Sequence, residues 1–482
     1  MAQRALAAGG IVARRRALFG LLDANGWSWA AIKALFWFTL IIFLMGYLPD
    51  RALYFTIFPT IDLGLSVVTP VNLCPASNRD LPCPVPVGAT LPWEPAPTEL
   101  SLPQPRTDGA LVQSGTNLLY VGGSSDGTGA VATVYAAPIQ SAAGNLSPWV
   151  AVAALPAPRR HAAVVVVAGT VYVLGGFDAA GAPTSTVFAG TPDPATGSIA
   201  EWKAMDALAL PEARAWASTV SAGDGVILVG GQGPTGATAT TWKSTLDAKG
   251  VLGAWKPLAA MPEPRVGALA SLQGSHLFIY AGSDANGPTP IVLRGDVSAA
   301  KDTAGQILSW AVSRAGSTLP EPRDGAAGFS NSGTLYLVGG TGPGAAGQTY
   351  WAIPDANGDI SGWQTLPQSN LPAELQLRDT AAAVSGSTVF LAGGTTASGV
   401  TAGLARANLA PRPPYFQLGL FGATVPGLAI GGDVGQQLAY LVAAGVATVN
   451  FVLLILIGIA FAHRDRTRQL FDRHVLRRRP AD

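Results

Sequence analysis

The sequence predicts an all-β fold, a six-bladed β-propeller, flanked by two transmembrane α-helices. Three observations support this prediction. An apolar run that ends in a glycine pair recurs about every 53 residues, with an arginine before it and a tryptophan after it. Two long apolar stretches lie outside the repeats, one near each end of the chain. Gly (58 residues) and Pro (37 residues) are abundant, as expected for many short strands joined by tight turns.

The composition limits the class of protein. A chain of 482 residues is too long for one ordinary domain. Hydrophobic residues make up 49% and charged residues 12%, which fits a protein that leaves part of itself in lipid. The net charge of +1 gives no field that would attract nucleic acid, so no nucleic-acid partner is predicted. Abundant Ala and Gly, with Arg preferred over Lys, are typical of a GC-rich bacterial genome.

The first apolar stretch predicts a transmembrane helix over residues 27–48. It is about 22 residues long, and a spanning helix needs about 20. An uncleaved signal anchor is favoured over a signal peptide, because the stretch begins late and MGYLPD is not a small-x-small cleavage site. Residues 1–26 then form a basic N-terminal segment.

The second apolar stretch predicts a transmembrane helix over residues 437–462, followed by a basic tail, 463–482. Because basic residues flank the two helices on their outer sides, the positive-inside rule places both termini in the cytoplasm. The predicted protein therefore crosses the inner or plasma membrane twice, in contact with bilayer lipid, and its propeller is periplasmic or extracellular. Residues 49–88 and 410–436 are predicted linkers.

Small residues on the second helix predict a packing partner. Ala439, Ala443 and Ala447 recur every four residues, a spacing that lets helices approach closely. Asn450 lies near the middle of the span, where an unpaired amide is costly. Both the chain's own first helix and a separate membrane subunit fit as partners.

Cys74 and Cys83 are the only cysteines, and both lie in the first predicted linker. A disulfide between them is favoured over two free thiols if this segment is extracytoplasmic. The loop is short, so chain entropy would add at most about 3 kcal/mol.

The repeats cover residues 89–409 and occur in six copies. The second positions of the glycine pairs are Gly123, Gly176, Gly231, Gly282, Gly340 and Gly394. The tryptophans follow at Trp149, Trp202, Trp255, Trp310 and Trp363. Each repeat has room for four short antiparallel strands, which is one propeller blade.

One gap in these markers predicts how the ring closes. The sixth copy has no tryptophan after it, whereas Trp93 stands alone before the first arginine. The segment around Trp93 is therefore expected to form the outer strand of the last blade, beside a third strand within residues 400–408. Pairing the two ends removes open sheet edges.

The repeat resembles the kelch repeat family through its apolar run, its glycine pair and its later tryptophan. The resemblance is specific for fold and weak for function. Kelch-type copper oxidases use a thioether-modified tyrosine with histidine ligands. Because no cysteine lies in residues 89–409, that chemistry does not carry over. No catalytic residues, metal site or cofactor are predicted, and an enzyme is disfavoured without being excluded.

Two functions of different class fit the sequence. The favoured one is a protein–protein interaction or assembly module, as a subunit of a membrane complex with a protein partner. The alternative is a carbohydrate-active propeller, either a glycan-binding protein or a sugar epimerase, which some kelch-type bacterial proteins are. Asp108, Asp324 and Asp379, each close after a repeat arginine, would supply its carboxylates.

The repeat arginines predict a binding face that points away from the membrane. They lie at or just before the innermost strand of each blade: Arg106, Arg159, Arg214, Arg265, Arg323 and Arg378. Arg160, His161 and Trp216 are expected close by. Kelch-type adaptor propellers bind acidic peptides through arginines at this point, which implies an anionic ligand or acidic peptide on the distal face. A purely structural role, bonding loop carbonyls or the aspartates, is the other interpretation.

Overall fold

The structure is a computed structural model of the 482-residue chain. It describes residues 86–140, 145–193, 196–298, 306–312, 314, 316–343, 347–355 and 357–410, with Trp37 and the backbone of Leu65–Ser66, Phe416–Leu420 and Ala423–Ile430. The chain divides into two compact units, of which one is Leu73–Pro411 and the other combines Met1–Asn72 with Arg412–Asp482.

The unit Leu73–Pro411 contains six antiparallel sheets of four strands, which are the six predicted blades. The innermost strands of blades 1 to 6 contact one another in a closed circle. They are Ala110–Ser114, Ala163–Val167, Ser218–Ser221, Leu269–Gln273, Ala327–Asn331 and Ala381–Ser385. The second strands are Asn117–Val121, Thr170–Leu174, Gly225–Val229, His276–Tyr280, Thr334–Val338 and Thr388–Ala392.

The third and fourth strands lie progressively further from the axis. The third strands are Val134–Pro138, Val187–Pro192, Thr241–Thr245, Leu293–Val297, Thr349–Ala352 and Leu404–Asn408. The fourth strands are Val150–Val152, Ile199–Ala204, Lys256–Leu258, Ile307–Val312, Gln364–Thr365 and Glu94–Pro95. In three blades a hairpin of two-residue antiparallel strands follows the second strand: Gln232–Gly233 with Gly236–Ala237, Ser283–Asp284 with Gly287–Pro288, and Thr395–Thr396 with Gly399–Val400. The 3-10 turns are Thr98–Leu100, Asp206–Leu208, Pro367–Ser369 and Ala373–Leu375.

The predicted ring closure is confirmed. Glu94–Pro95, beside Trp93, pairs antiparallel with Leu404–Asn408, so the N-terminal strand completes blade 6. Trp93 is buried, and its indole N–H donates to the Thr349 hydroxyl at 3.2 Å in blade 5. The two ends of the ring are thus held by backbone pairing and by a buried side chain.

The second strands explain why the apolar runs recur. Second strands such as NLLYV and TLYLV are buried at every position, because the two faces of each blade pack against the two neighbouring blades. The core is therefore a set of layers between blades. One layer joins Val165 and Tyr172 of blade 2 to Val226, Leu228 and Trp242 of blade 3.

The repeated tryptophans join neighbouring blades. Each indole N–H donates to a backbone carbonyl in the segment that leads away from the preceding blade. Trp202 bonds the Ala153 carbonyl at 2.9 Å and Trp255 bonds the Leu208 carbonyl at 2.9 Å. Trp149, Trp310 and Trp363 repeat this contact at Leu100, Ala259 and Ser317.

The glycine pairs serve close approach of backbones from adjacent blades. The Gly123 N–H donates to the Arg159 carbonyl of the next blade at 2.8 Å. A Cβ placed on Gly122, whose φ is +62°, would lie 2.4 Å from that same oxygen. In the degenerate fourth copy, Ala281 adopts the left-handed conformation with φ of 57°.

The second unit includes a three-stranded antiparallel sheet of Leu65–Ser66, Phe416–Leu420 and Ala423–Ile430. Part of the predicted linker 410–436 is thus a β-hairpin. Apart from Trp37, the two predicted transmembrane helices lie outside the described residues, as do Cys74, Cys83, Ala439, Ala443, Ala447 and Asn450. In the part of the chain that the structure describes, no helix is long and apolar enough to cross a bilayer.

Candidate binding site at the axial mouth

One residue from each blade forms a ring of backbone around the propeller axis. These residues, which we call the axial ring, are Asp108, His161, Trp216, Gly267, Gly325 and Asp379. Each precedes an innermost strand and has φ between 49° and 63°. Hydrogen bonds link neighbours, for example from the His161 N–H to the Asp108 carbonyl at 2.8 Å and from the Trp216 N–H to the His161 carbonyl at 2.9 Å.

Three equivalent bonds continue the ring, whereas the Gly325 N–H donates to the Asp324 carboxylate at 3.1 Å instead of to the blade 4 backbone. The Gly267 N–H donates to the Trp216 carbonyl, the Asp379 N–H to the Gly325 carbonyl, and the Asp108 N–H to the Asp379 carbonyl. Glycine adopts the left-handed conformation without strain, whereas a tryptophan or histidine there is unusual. Retaining large side chains at strained positions is a feature of functional sites. We call the opening lined by the axial ring and its adjacent residues the axial mouth.

Of the seven arginines predicted to bind, five of the six repeat arginines do not face this mouth with free guanidiniums. Arg106, Arg159, Arg214, Arg265 and Arg323 are at most 5% exposed. Their guanidiniums reach toward the start of the third strand in their own blades, where they bond Thr133, Thr186, Thr240, the Ile291 carbonyl and Gln348. Four also stack on an aromatic ring there: Tyr135, Phe188, Trp242 and Tyr350. These contacts support the structural interpretation for the five.

Arg378 occupies a different position of the repeat. The Gly340 N–H donates to the Leu377 carbonyl at 2.9 Å, just as the Gly123 N–H donates to the Arg159 carbonyl. Leu377, which is buried, therefore replaces the structural arginine in blade 6. Arg378 corresponds to Arg160 instead, and its side chain is 53% exposed. The one-residue displacement of Arg378 in the sequence spacing was the signal of this change.

Arg160, His161 and Trp216 do lie together, as predicted. The His161 Nε2 is 3.3 Å from an Asp108 carboxylate oxygen, and the Arg160 guanidinium reaches the same oxygen at 3.5 Å. The His161 and Trp216 rings are 4.1 Å apart. Phe177, from the loop after the second strand of blade 2, lies under the Arg160 guanidinium at 5.0 Å. The sequence analysis did not identify Phe177, because no repeat marker falls on that loop position.

The carboxylates occupy the other side of the mouth. A Cβ on Gly325 would lie 2.5 Å from an Asp379 oxygen, and one on Gly267 would lie 3.7 Å from an Asp324 oxygen. The two glycines thus leave room for carboxylates from the following blade. Blades 5, 6 and 1 present acidic groups, whereas blades 2 and 3 present aromatic ones.

Two of these carboxylates have pKa values displaced in opposite directions. Burial would raise the pKa of Asp108, but the hydrogen bond and charge of His161, with help from Thr107 and Arg160, lower it overall. Burial, followed by repulsion from Asp108, raises the pKa of Asp379, although His161 and Arg378 oppose this. The negative charge of Asp108 is therefore stabilised by its neighbours, whereas the negative charge of Asp379 is disfavoured by burial and by the nearby Asp108 carboxylate.

The mouth offers cations, carboxylates and aromatic surface within one opening. Among the described residues, no group of three or more His, Cys, Asp or Glu side chains is arranged to hold a metal ion. What the arrangement can do chemically is form charged hydrogen bonds and stacking contacts with a bound group.

Comparison with known proteins agrees with the repeat. The Kelch motif family model matches residues 158–189. Beta-scruin of Limulus polyphemus is 31% identical over 109 residues, which is 23% of this chain and 10% of that protein. The solved structure titled "Structure of YjhT" aligns with 67% of this chain and 98% of its own, at 15% identity and a TM-score of 0.49. The family match, the scruin similarity and the six blades support a kelch-like β-propeller.

Proposed function

We propose that this chain is a membrane-anchored, extracytoplasmic kelch-like propeller that binds a partner protein at its axial mouth, as a subunit of a membrane complex. The fold suggests a protein–protein interaction module. The observation that carries the proposal is the retention of His161 and Trp216 in a strained backbone conformation around the axis, where Gly267 and Gly325 show that no side chain is needed for folding.

The partner segment is proposed to be acidic, with contacts to the two arginines that remain at the mouth. Arg378 is 53% exposed and is 3.5 Å from the nearest Asp379 oxygen. Arg160 is 21% exposed and also 3.5 Å from its carboxylate partner. Both separations are long for a charge-assisted hydrogen bond, so a better placed carboxylate on the partner would gain contact energy. The aromatic surface of Trp216 and Phe177 would add stacking area.

Selective capture tests the binding role. The full-length parent, an Arg160→Ala/Arg378→Ala variant and an Arg406→Ala variant would be purified from native membranes, and the retained proteins quantified by mass spectrometry. Arg406 is a matched control, because it is 36% exposed but lies on the third strand of blade 6. We expect one partner to be depleted at least tenfold by the double change and unaffected by Arg406→Ala. Identical protein sets in all three preparations would contradict the proposal.

Support for the membrane anchoring comes from the sequence. The apolar stretches 27–48 and 437–462, with basic residues on their outer sides, favour two passes and cytoplasmic termini. An alkaline phosphatase fused within residues 280–290 is expected to be active. A silent phosphatase together with an active cytoplasmic reporter at that site would reverse the orientation.

One observation favours an enzymatic alternative, in which the mouth acts on a carbohydrate. Asp108 and Asp379 have pKa values displaced in opposite directions, as acid and base pairs commonly do. Proton NMR of the purified protein with a panel of reducing sugars would reveal epimer or anomer exchange. Exchange that Asp379→Asn removes would replace the binding proposal, whereas no exchange above the uncatalysed rate would reject the enzyme.

A further inference from the structure

The ionisable side chains of the axial mouth do not add up to a positive surface. They belong to residues at or beside the axial ring in blades 1, 2, 5 and 6: Asp108, Arg160, His161, Asp324, Arg378 and Asp379. Blades 3 and 4 present Trp216 and Gly267 at the ring position. With the imidazole neutral, three carboxylates and two guanidiniums give a net charge of −1. An acidic segment therefore meets net repulsion while all three carboxylates are ionised.

The loops after the second strands add no charge at this level of the mouth. In every blade the residue before the axial ring pairs with one loop residue, and these loop residues are uncharged: Ser124, Phe177, Gln232, Ser283, Thr341 and Thr395. The next carboxylates along the loops, Asp126, Asp178 and Asp284, accept hydrogen bonds from N–H groups of their own loops. The charge of the mouth is therefore set by the ionisable residues of the axial ring and its neighbours.

Asp108 and Asp379 are adjacent in the axial ring but differ in their partners. The Asp108 carboxylate lies 3.3 Å from the His161 imidazole and 3.5 Å from the Arg160 guanidinium. The Asp379 carboxylate forms an ion pair with Arg378 at 3.5 Å, and it accepts no hydrogen bond from the residues that the structure describes. Asp379 is thus the less stabilised of the two charges.

The two carboxylates therefore take up protons in a fixed order. Burial, followed by the charge of Asp108, raises the pKa of Asp379. Burial acts on Asp108 in the same direction, but the contact with His161 leaves the pKa of Asp108 lowered. When the pH falls, Asp379 is protonated first, while Asp108 keeps its charge and its ion pair with Arg160. Acidification thus changes the partner of Arg378 before that of Arg160.

We propose that Asp379 competes with the partner segment for Arg378, and that protonation of Asp379 frees this guanidinium for an acidic segment. The inference rests on the proposed binding function and adds its regulation. Arg378 is 53% exposed, so its guanidinium can turn toward a bound carboxylate without leaving a buried position. A neutral Asp379 also brings the net charge of the mouth from −1 to zero, because two carboxylates then face two guanidiniums. Both effects strengthen binding as the pH falls.

Binding and protonation are linked in both directions. If a proton on Asp379 strengthens binding, a bound anion favours the proton on Asp379 by the same free energy. The complex therefore takes up protons as it forms, at and just above the pH at which Asp379 titrates in the free protein. A side chain with a purely structural role would not produce this uptake.

A probe of fixed charge separates the titration of the protein from that of the ligand. The probe is a rhodamine-labelled peptide of alternating glycine and cysteic acid, because a sulfonate stays ionised throughout the range used. Its binding to the full-length protein in detergent would be followed by fluorescence anisotropy from about pH 7.5 to about pH 4.5, which starts well above the usual pKa of an aspartate.

The parent would be compared with Asp379→Asn and with Glu201→Gln. We expect the parent to bind the peptide at least about threefold more tightly at the acidic end of the range. Asp379→Asn should bind at least about threefold more tightly than the parent near pH 7.5, and the two should converge toward pH 4.5. Glu201→Gln is the matched control, because Glu201 is 71% exposed on the outer strand of blade 2. It should follow the parent at every pH.

Calorimetry gives a second measurement. Peptide titrations in two buffers with different ionisation enthalpies count the protons taken up on binding. We expect net uptake by the parent and by Glu201→Gln, and less than half of that uptake by Asp379→Asn. Equal melting temperatures of the parent and Glu201→Gln would show that the control is folded.

Parallel pH curves for the parent and Asp379→Asn would overturn the proposal. So would a Glu201→Gln curve that matches Asp379→Asn, or weaker binding to the parent at low pH. The Arg160→Ala/Arg378→Ala variant separates this proposal from the binding function itself. If that variant loses the peptide while the parent binds it equally at every pH, the binding function stands and the competition is wrong. If neither protein binds the peptide at any pH, both proposals fail.

Discussion

Replacing Arg214 by methionine removes a buried guanidinium while keeping most of the side-chain stem. Arg214 is 1% exposed. Its guanidinium donates to the Gly230 carbonyl at 2.8 Å and to the Thr240 hydroxyl at 2.6 Å, and it stacks on Trp242 at 4.3 Å. It thus joins the segment before the innermost strand of blade 3 to the second and third strands of the same blade.

The expected loss follows from these contacts. Glu212, which also pairs with Arg214, is 56% exposed and stays solvated, so it adds little. The carbonyl and hydroxyl left without a donor cost about 1–3 kcal/mol each, and the stacking adds about 1 kcal/mol. Because the neighbouring loops can relax and admit water, we expect the free energy of unfolding to fall by about 2–4 kcal/mol.

Thermal unfolding of the full-length protein, followed by tryptophan fluorescence, measures this effect. Arg378→Met is the matched control, because Arg378 is 53% exposed and takes no part in the repeated structural contact. The control should change the free energy of unfolding by no more than about 0.5 kcal/mol. If both variants unfolded like the parent, the buried arginines would not stabilise the strands of their own blades, and their role would have to be sought in binding.

Three further outcomes are expected, each measured as a change in melting temperature or solubility. Gly122→Ala should cost about 3 kcal/mol, and Gly127→Ala only about 1 kcal/mol, since both have positive φ but only Gly122 faces a carbonyl. Equal losses would show that backbone strain alone matters. Deleting residues 86–97 should unfold or aggregate the propeller by opening the edge of blade 6, and normal melting would contradict the closure. Asp108→Asn should destabilise the protein at pH 7 by about 1–3 kcal/mol, whereas Asp379→Asn should stabilise it slightly. Because the pKa of Asp108 is lowered, its ionised carboxylate stabilises the folded protein above about pH 4, and this stabilisation is lost as the pH falls. Because the pKa of Asp379 is raised, its negative charge destabilises the folded protein at neutral pH. Both effects should therefore shrink toward pH 3, and a pH-independent difference would refute this account.

The repeat markers predicted blade number and closure because each marker records a local requirement. A glycine at a close backbone approach and a tryptophan that reaches the preceding blade recur wherever a blade recurs. Trp93, displaced to the start of the chain, was enough to predict that Glu94–Pro95 completes the sheet of Leu404–Asn408.

The same reasoning did not decide what the arginines do. A recurring arginine is compatible with an exposed ring of cations and with six internal braces, since both place it at the same point of every blade. The choice depends on where the guanidinium points. In Arg106 the answer comes from Thr133 and Tyr135, which are 27 and 29 residues away in the chain.

The axial ring could not be predicted from the sequence either, for a related reason. Asp108, His161, Trp216 and Asp379 share no residue type with Gly267 and Gly325, so no motif connects them. What they share is a left-handed backbone and hydrogen bonds to the adjacent blade, and these exist only when six blades surround one axis.

The sequence by itself determined the all-β repeat, its six copies and the pairing of its two ends, because periodic spacing and apolar patterning follow from the chain alone. Only the tertiary structure decided which charges are internal and which reach the mouth. The burial and the pKa of a side chain depend on groups that other blades bring within a few ångströms. The Asp108 carboxylate, for example, lies 3.3 Å from His161 of blade 2, and this contact lowers the pKa of Asp108.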